Sequence, residues 1–218
     1  MKNVLLKILG MFILSVGIIS CNNDDDSTMP MEEVDFFPLK VGNYWVYHHY
    51  IKQNTEDFVF GNRVDTVKIT GIIPIDNQDY FVMETNGYQF SSGDIIESKI
   101  ENVRINSSGH LVKDNGSVLH PGDDMNYTHQ VSYNQYQPPF VIEYRLHPVE
   151  NWTFNGQNYQ IAPYRGMARA EDIQNHPYLD GKKVEYSYLK GIGKVLEHTS
   201  AVENPFFYEY RLVDYHLN

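Results

Sequence analysis

The sequence predicts an all-β fold: a single antiparallel β domain curled into a barrel-like or open-barrel shape. Three observations carry that expectation. Short runs of alternating period two follow one another from Asn43 to His216, with turn residues between them. No stretch of the body repeats apolar residues at i, i+3, i+4 and i+7 over three helical turns. Seventeen Tyr, eleven Phe and two Trp suit pleated sheet better than helix. A two-sheet sandwich is the runner-up; the meandering order of the strands favours the curl.

The elements follow in order. Pro38 and Gly42 punctuate an opening turn, and Asn43 to Tyr50 reads as a strand. Trp45, Tyr47 and His49 point one way along it and Tyr44, Val46, His48 and Tyr50 the other. Both faces carry bulky side chains, so the strand is expected to be covered on both sides or to line a filled barrel. Phe58 to Phe60 and Arg63 to Thr70 form one long strand bent near Gly61-Asn62, and Ile72 to Ile75 is broken by Pro74. Asp76-Asn77-Gln78-Asp79 is a turn by composition, with Tyr80 to Thr85 as the return strand. Ile95 to Asn106 is a strand, and Asn115-Gly116 turns a hairpin between His110–Lys113 and Ser117–His120.

Pro121 to Asp124 is a loop, and Tyr127 to Tyr136 is too rich in Tyr, Asn and Gln to assign. Phe140–Leu146, Asn151–Phe154 and Tyr159–Ala170 are strands, the last interrupted by Pro163 and Gly166. Glu171 to Asp180 is a loop with at most a helical turn. Lys183–Leu189, Lys194–His198 and Phe206–His216 complete the sheet.

Ahead of this body lies a leader. Lys2 and Lys7 precede an apolar run from Ile8 to Ile19 that no acidic residue interrupts, the layout of a secretory signal peptide. The run is short for a membrane-spanning helix. It ends in Ile18-Ile19-Ser20-Cys21, which resembles the lipobox of bacterial lipoproteins. That resemblance implies cleavage before Cys21 and acylation of its sulfur, with acyl chains anchoring at about 0.8 kcal/mol per buried CH₂. Cys21 is the only cysteine, so an acylated mature chain has no thiol left for disulfides, nucleophilic catalysis or thiolate metal sites.

The expected organisation is a signal peptide over 1–20, an acylated flexible acidic tether over 21–34 and a single all-β domain over 35–218. Asn22 to Pro30 is polar, charged and unpatterned, as a tether is. Asp24-Asp25-Asp26 after the cysteine resembles the surface-export signal of Bacteroidetes lipoproteins. It implies an outer-membrane, surface-exposed protein, with a periplasm-facing one as the runner-up.

The opening stretch carries a second resemblance. Phe37-Pro38-Leu39, Gly42-Asn43, Trp45 and Tyr47 resemble the F-P-L-x-x-G-N-x-W-x-Y opening of an uncharacterised family of Bacteroidetes-type lipoproteins. Lys190 to Val195 is similar to that family's late G-x-G turn, and Tyr208 to Val213 to its closing run. The resemblance implies fold and location; it implies no chemistry.

The net charge is −11 over the whole chain, and loss of the two leader lysines leaves 15 basic against 28 acidic residues, or −13. Nucleic acid is excluded as a partner on that balance. No catalytic constellation is legible. Gly191-Ile192-Gly193 lacks the continuation of a nucleotide loop, and no G-x-S-x-G elbow occurs. His48 and His49 are strand neighbours facing opposite ways. His110 and His120 flank the Asn115-Gly116 hairpin and, with Asp123 or Asp124, have the donor types of a divalent-metal site, but surface histidines near a turn are the favoured reading. No metal and no cofactor is therefore expected. Tyr127, Tyr133, Tyr136 and Trp152, with Asn134 and Gln135, form the candidate ligand-binding platform, against a reading in which Trp152 is core and the tyrosines are half-buried sheet residues.

The expected function is that of a non-enzymatic, membrane-anchored lipoprotein. It would bind a glycan, peptide or envelope protein, or support an envelope assembly. One alternative is a carrier holding an apolar ligand inside the curved sheet. A hydrolase acting on an envelope or glycan substrate is the other.

Overall fold

The computed structural model of the chain describes residues 36–53, 57–135, 139–154, 156–170, 182–200 and 206–218. Contacts divide the chain into Met1–Val34 and Asp35–Asn218, and every described residue falls in the second unit. The expectations for the leader, Cys21, the tether, Tyr136 and the 171–180 loop lie outside the described residues.

Among the described residues thirteen strands build one antiparallel sheet: β1 (Tyr44–Gln53), β2 (Val59–Ile75), β3 (Gln78–Gln89), β4 (Ile95–Ile105), β5 (Leu111–Lys113), β6 (Val118–His120), β7 (Thr128–Tyr133), β8 (Phe140–Leu146), β9 (Glu150–Phe154), β10 (Gln157–Ala170), β11 (Lys183–Leu189), β12 (Gly193–Ser200) and β13 (Phe206–His216). The spatial order is β6-β5-β4-β3-β2-β1-β13-β12-β11-β10-β8-β7, with β9 paired to β10. The chain thus starts mid-sheet and meanders out to β6. It then crosses to β7 at the other edge and returns to lay β13 against β1. The edge strands β6 and β7 do not pair among the described residues, so the sheet is open.

The curl is nevertheless tight. His120, on edge strand β6, is fully buried, and its Nε2 lies 3.2 Å from the Ala162 carbonyl oxygen on β10. Gly122 N–H donates to its Nδ1 at 3.1 Å, so Nδ1 is the bare nitrogen and Nε2 carries the proton that Ala162 accepts. Beside it, His110 Nε2 meets Asp124 Oδ2 at 3.2 Å, and Lys190 Nζ donates to Asp123 Oδ2 at 2.7 Å. The loop after β6 is in this way pinned across the seam.

Local chemistry explains each irregularity. Asp76 (φ 49°) and Asn77 (φ 60°) make a two-residue turn with both residues left-handed, the geometry that matches strand twist. The bend foreseen near Gly61-Asn62 is a bulge, with Asn62 at φ 57° and its side chain bonded to Ser91. Pro74 and Pro163 do not break their strands, contrary to expectation. Pro74 lies beyond the last β1 partner, where β2 has a neighbour on one side only. Pro163 sits where β10 changes partner from β9 to β8.

The opening motif is a structural clamp. Phe37 is buried against Tyr188 and His120. Asn43 donates from Nδ2 to the Pro38 carbonyl at 2.7 Å and accepts at Oδ1 from Asn218 N–H at 2.9 Å. Trp45 Nε1–H donates to the Ile192 carbonyl at 2.6 Å, and the Tyr47 hydroxyl to that of Lys194 at 2.8 Å. The start of β1, the Gly191–Gly193 turn and the end of β13 are therefore tied together. Of the two aromatic faces of β1, the Trp45-Tyr47-His49 face is buried. The other is half-covered, with Tyr44 stacked on His216 and the Arg211 guanidinium over Tyr50.

Candidate functional site: a charged cleft on the inner face

Along the inner face the side chains change character at one level on β2, β3, β4, β12 and β13. On β2, Ile69 and Val67 give way to Asp65 and Arg63; on β3, Phe81 and Met83 to Thr85; on β4, Val103 to Glu101, Lys99 and Glu97. On β13, Leu212 gives way to Tyr210, and on β12, Val195 to Glu197. The apolar half is packed around Phe37, Trp45, Val103, Leu111 and Tyr188. The polar half encloses a cleft of about 220 Å³.

The cleft is built from ion pairs. Arg63 grips Asp65 with Nε at 2.7 Å and Nη2 at 3.0 Å, and the same Nη2 reaches Glu97 at 2.7 Å. The Asp65 hydrogen bond raises the Arg63 pKa above its ordinary value, so its charge is permanent. Gly87 makes room for the pair, because a Cβ there would stand 2.8 Å from Asp65 Oδ1. Lys99 Nζ meets Glu101 at 2.9 Å, and Lys113 meets it from the other side. Burial alone would raise the Glu101 pKa, but those two hydrogen bonds outweigh it and hold the carboxyl below its ordinary value. Lys194 Nζ donates to Glu197 at 2.6 Å and lies over the Tyr47 ring. Burial lowers its pKa and Glu197 raises it, with a net rise that keeps the ammonium charged. Behind the cleft's Tyr210, His49 stacks on that ring at 4.6 Å, its Nε2 buried and bonded to no protein group. Burial and the Arg63 charge lower its pKa, so it is neutral at pH 7.

The residues singled out from sequence lie elsewhere. Tyr127 packs against His110 and Tyr164, and Tyr133 stacks on Phe140 at 4.8 Å; both join the Phe140–Tyr144–Tyr164 cluster. Trp152 packs with the separate cluster of Trp45, Ile161 and Leu212. His110 and His120 are the seam pins described above. Neither ring nitrogen of His120 is free to bind a cation, and no group of three or more His, Cys, Asp or Glu able to hold a metal occurs among the described residues.

Sequence reasoning missed the cleft for a physical reason. Glu97, Lys99 and Glu101 alternate with Ser98, Ile100 and Asn102, and alternation read alone puts the charges in water and Ile100 inside. The structure instead puts the charges on the concave face, with Glu97 and Lys99 still half-exposed and Ile100 66% exposed on the other face. The one available signal was that Arg63-x-Asp65 and Glu97-x-Lys99-x-Glu101 continue, in phase, into Val67-x-Ile69 and Val103-x-Ile105.

No family model and no curated protein matches the chain. Two solved structures match the chain. A candidate lipoprotein from Parabacteroides distasonis superposes with a TM-score of 0.51 at 12% identity, over 84% of this chain and 99% of that one. A candidate exported protein with a YmcC-like fold from Bacteroides fragilis gives 0.46 at 10% identity, over 84% and 99%. At such identity the likeness to the Parabacteroides structure establishes a common fold and nothing finer.

Proposed function

We propose that this chain is an exported, lipid-anchored envelope protein that binds a small polar molecule in the cleft on the inner face of its sheet. The observation that carries the binding reading is the inverted pattern of β4. Glu97 and Lys99, each about half-exposed, and Glu101, largely covered, line the concave face while Ile100 stands in water on the other; turning an apolar side chain inward there would gain about 25 cal/mol per Å² of apolar surface buried. A purely structural interior would be dry there, as it is one level away around Val103. The cleft is concave and polar, and its side chains are held in place by their ion pairs, the features of a pre-formed site.

The anchoring half of the reading rests on Lys2 to Cys21 and is supported by the lipoprotein description of the Parabacteroides structure. The acidic run Asp24 to Asp26 points to the cell surface. Cys21→Ser is expected to release the protein from membranes and abolish labelling by radioactive palmitate; continued labelling would contradict the anchor. Protease added to intact cells should degrade the wild type, and full protection would place it inside the envelope.

The carrier alternative has less to stand on. The apolar hollow beside Trp45, Ile69 and Tyr188 is about 60 Å³, roughly two water volumes and too small for an acyl chain. The hydrolase alternative meets paired carboxylates. Glu101, held below its ordinary pKa, suits an acceptor rather than a proton donor. Soaking or titrating the full chain with pooled small polar metabolites, read by a rise in melting temperature, tests the binding reading; no rise with any pool would contradict it.

A further inference from the structure

Resting on the cleft as a binding site, we infer that its ligand is a neutral, hydroxyl-rich molecule: a monosaccharide or a single sugar ring of a larger glycan.

Charge pairing excludes ions first. Arg63, Lys99, Lys113 and Lys194 stand against Asp65, Glu97, Glu101 and Glu197, and each cation is already within 3 Å of a carboxylate. The cleft therefore has almost no net field to draw an anion or a cation. An incoming carboxylate or phosphate would have to strip Arg63 or Lys194 from its partner. The abandoned carboxylate would then be left partly buried and unpaired, which costs more than the new pair returns. An amine meets the same cost in reverse.

The remaining hydrogen-bonding capacity points to uncharged donors. Glu97 and Glu197 each use one oxygen, Oε2, for the cation beside them. Their second oxygens remain as charged acceptors on facing walls of the cleft. Charged acceptors make short, strong hydrogen bonds to hydroxyl groups. A ligand that fits must present several O–H donors and accept in turn from the ammonium and guanidinium N–H groups. Hydroxyl groups do both at a single oxygen, and apolar ligands do neither. The volume, about 220 Å³ or roughly seven waters, matches one small ring rather than an extended chain. The Tyr210 ring already packs against His49 and the Arg63 guanidinium. Recognition is therefore chiefly by hydrogen bonds at the ring's edge rather than by stacking.

The test is calorimetric titration of the full chain, purified in detergent, with three probe sets: glucose, galactose and N-acetylglucosamine; putrescine and ornithine; phosphate and citrate. Glu97→Gln and Glu197→Gln are titrated in parallel. Glu97 is half-exposed and Arg63 keeps Asp65 when it is changed, so that variant folds even if Glu197→Gln does not. The expected result is saturable binding of at least one sugar, weakened about tenfold or more in the variants, as loss of a hydrogen bond to a charged group predicts. Binding of an amine or anion with all sugars inert overturns the ligand class and leaves the cleft standing as a site. Sugar binding unchanged in both variants overturns the inference by moving the ligand elsewhere. No binding from any of the three sets overturns both the class and the site.

Discussion

The two halves of the inner face are made by the same strands, yet they solve opposite problems. Around Trp45, Val103 and Tyr188 the sheet is packed with buried apolar side chains, and three of its polar groups bond the backbone: Trp45 to Ile192, Tyr47 to Lys194, His120 to Ala162. Around Arg63, Glu97 and Glu197 the same sheet lines a polar cleft and spends its polar atoms on each other. The dry half sets stability; the wet half is free to do something else. Substitutions on either side should separate accordingly.

The largest effect belongs to the dry half. Trp45→Ala removes a buried indole and its hydrogen bond to Ile192, and is expected to cost about 3–5 kcal/mol in chemical denaturation. A loss below 1 kcal/mol would mean that the dry half does not hold the sheet.

Next comes the seam. His120 is buried and neutral, and burial depresses its pKa from 6.5 to about 4. Its unfolded form takes up a proton between those values while the folded form does not. The stability it protects is therefore complete above pH 6.5 and is lost progressively as pH falls toward 4, by about 3 kcal/mol in all. Burial lowers His48, His49 and His147 as well, so the slope has several contributors. Comparing the pH slope of His120→Gln with that of the wild type isolates the seam; identical slopes would show that the pin does not couple to folding.

Gly166→Ala tests the packing of β10 on β8. A Cβ there would meet Ile142 Cγ2 at 2.5 Å and Tyr144 Cε1 at 2.6 Å. Overpacking of that kind is expected to cost about 1–3 kcal/mol, read as a lowered melting temperature. A neutral result would mean that the strands part easily. The smallest effect is expected in the wet half. Glu97→Gln breaks a half-exposed pair and should cost no more than about 1 kcal/mol. A loss as large as that of Trp45→Ala would erase the contrast between the halves.

Much of this architecture was legible in the sequence because it is local. Period-two alternation located the long strands, and Asn115-Gly116 and Asp76-Asn77 marked their turns. The aromatic opening strand, expected to be covered on both faces, buries one and half-covers the other. What could not be read is what depends on curvature. Pro163 looked like a break because its change of partner involves strands far apart in sequence. Ile95 to Asn106 read as a strand, but nothing local says which side of a sheet becomes concave, so the cleft face carrying Glu97, Lys99 and Glu101 was not singled out. Tyr127 and Tyr133 drew attention as aromatics, while the cleft is lined chiefly by charges that pair across β2, β4 and β12.

Hydrogen–deuterium exchange of the full chain, with and without a saturating mixture of neutral monosaccharides, bears most directly on the division into a dry half and a binding half. The account predicts added protection at residues 63–65, 97–101 and 194–197, the strand segments that line the cleft, with Trp45, Leu111 and Tyr188 unchanged. Protection appearing instead around Tyr127, Tyr133 and Trp152, or nowhere, would contradict it.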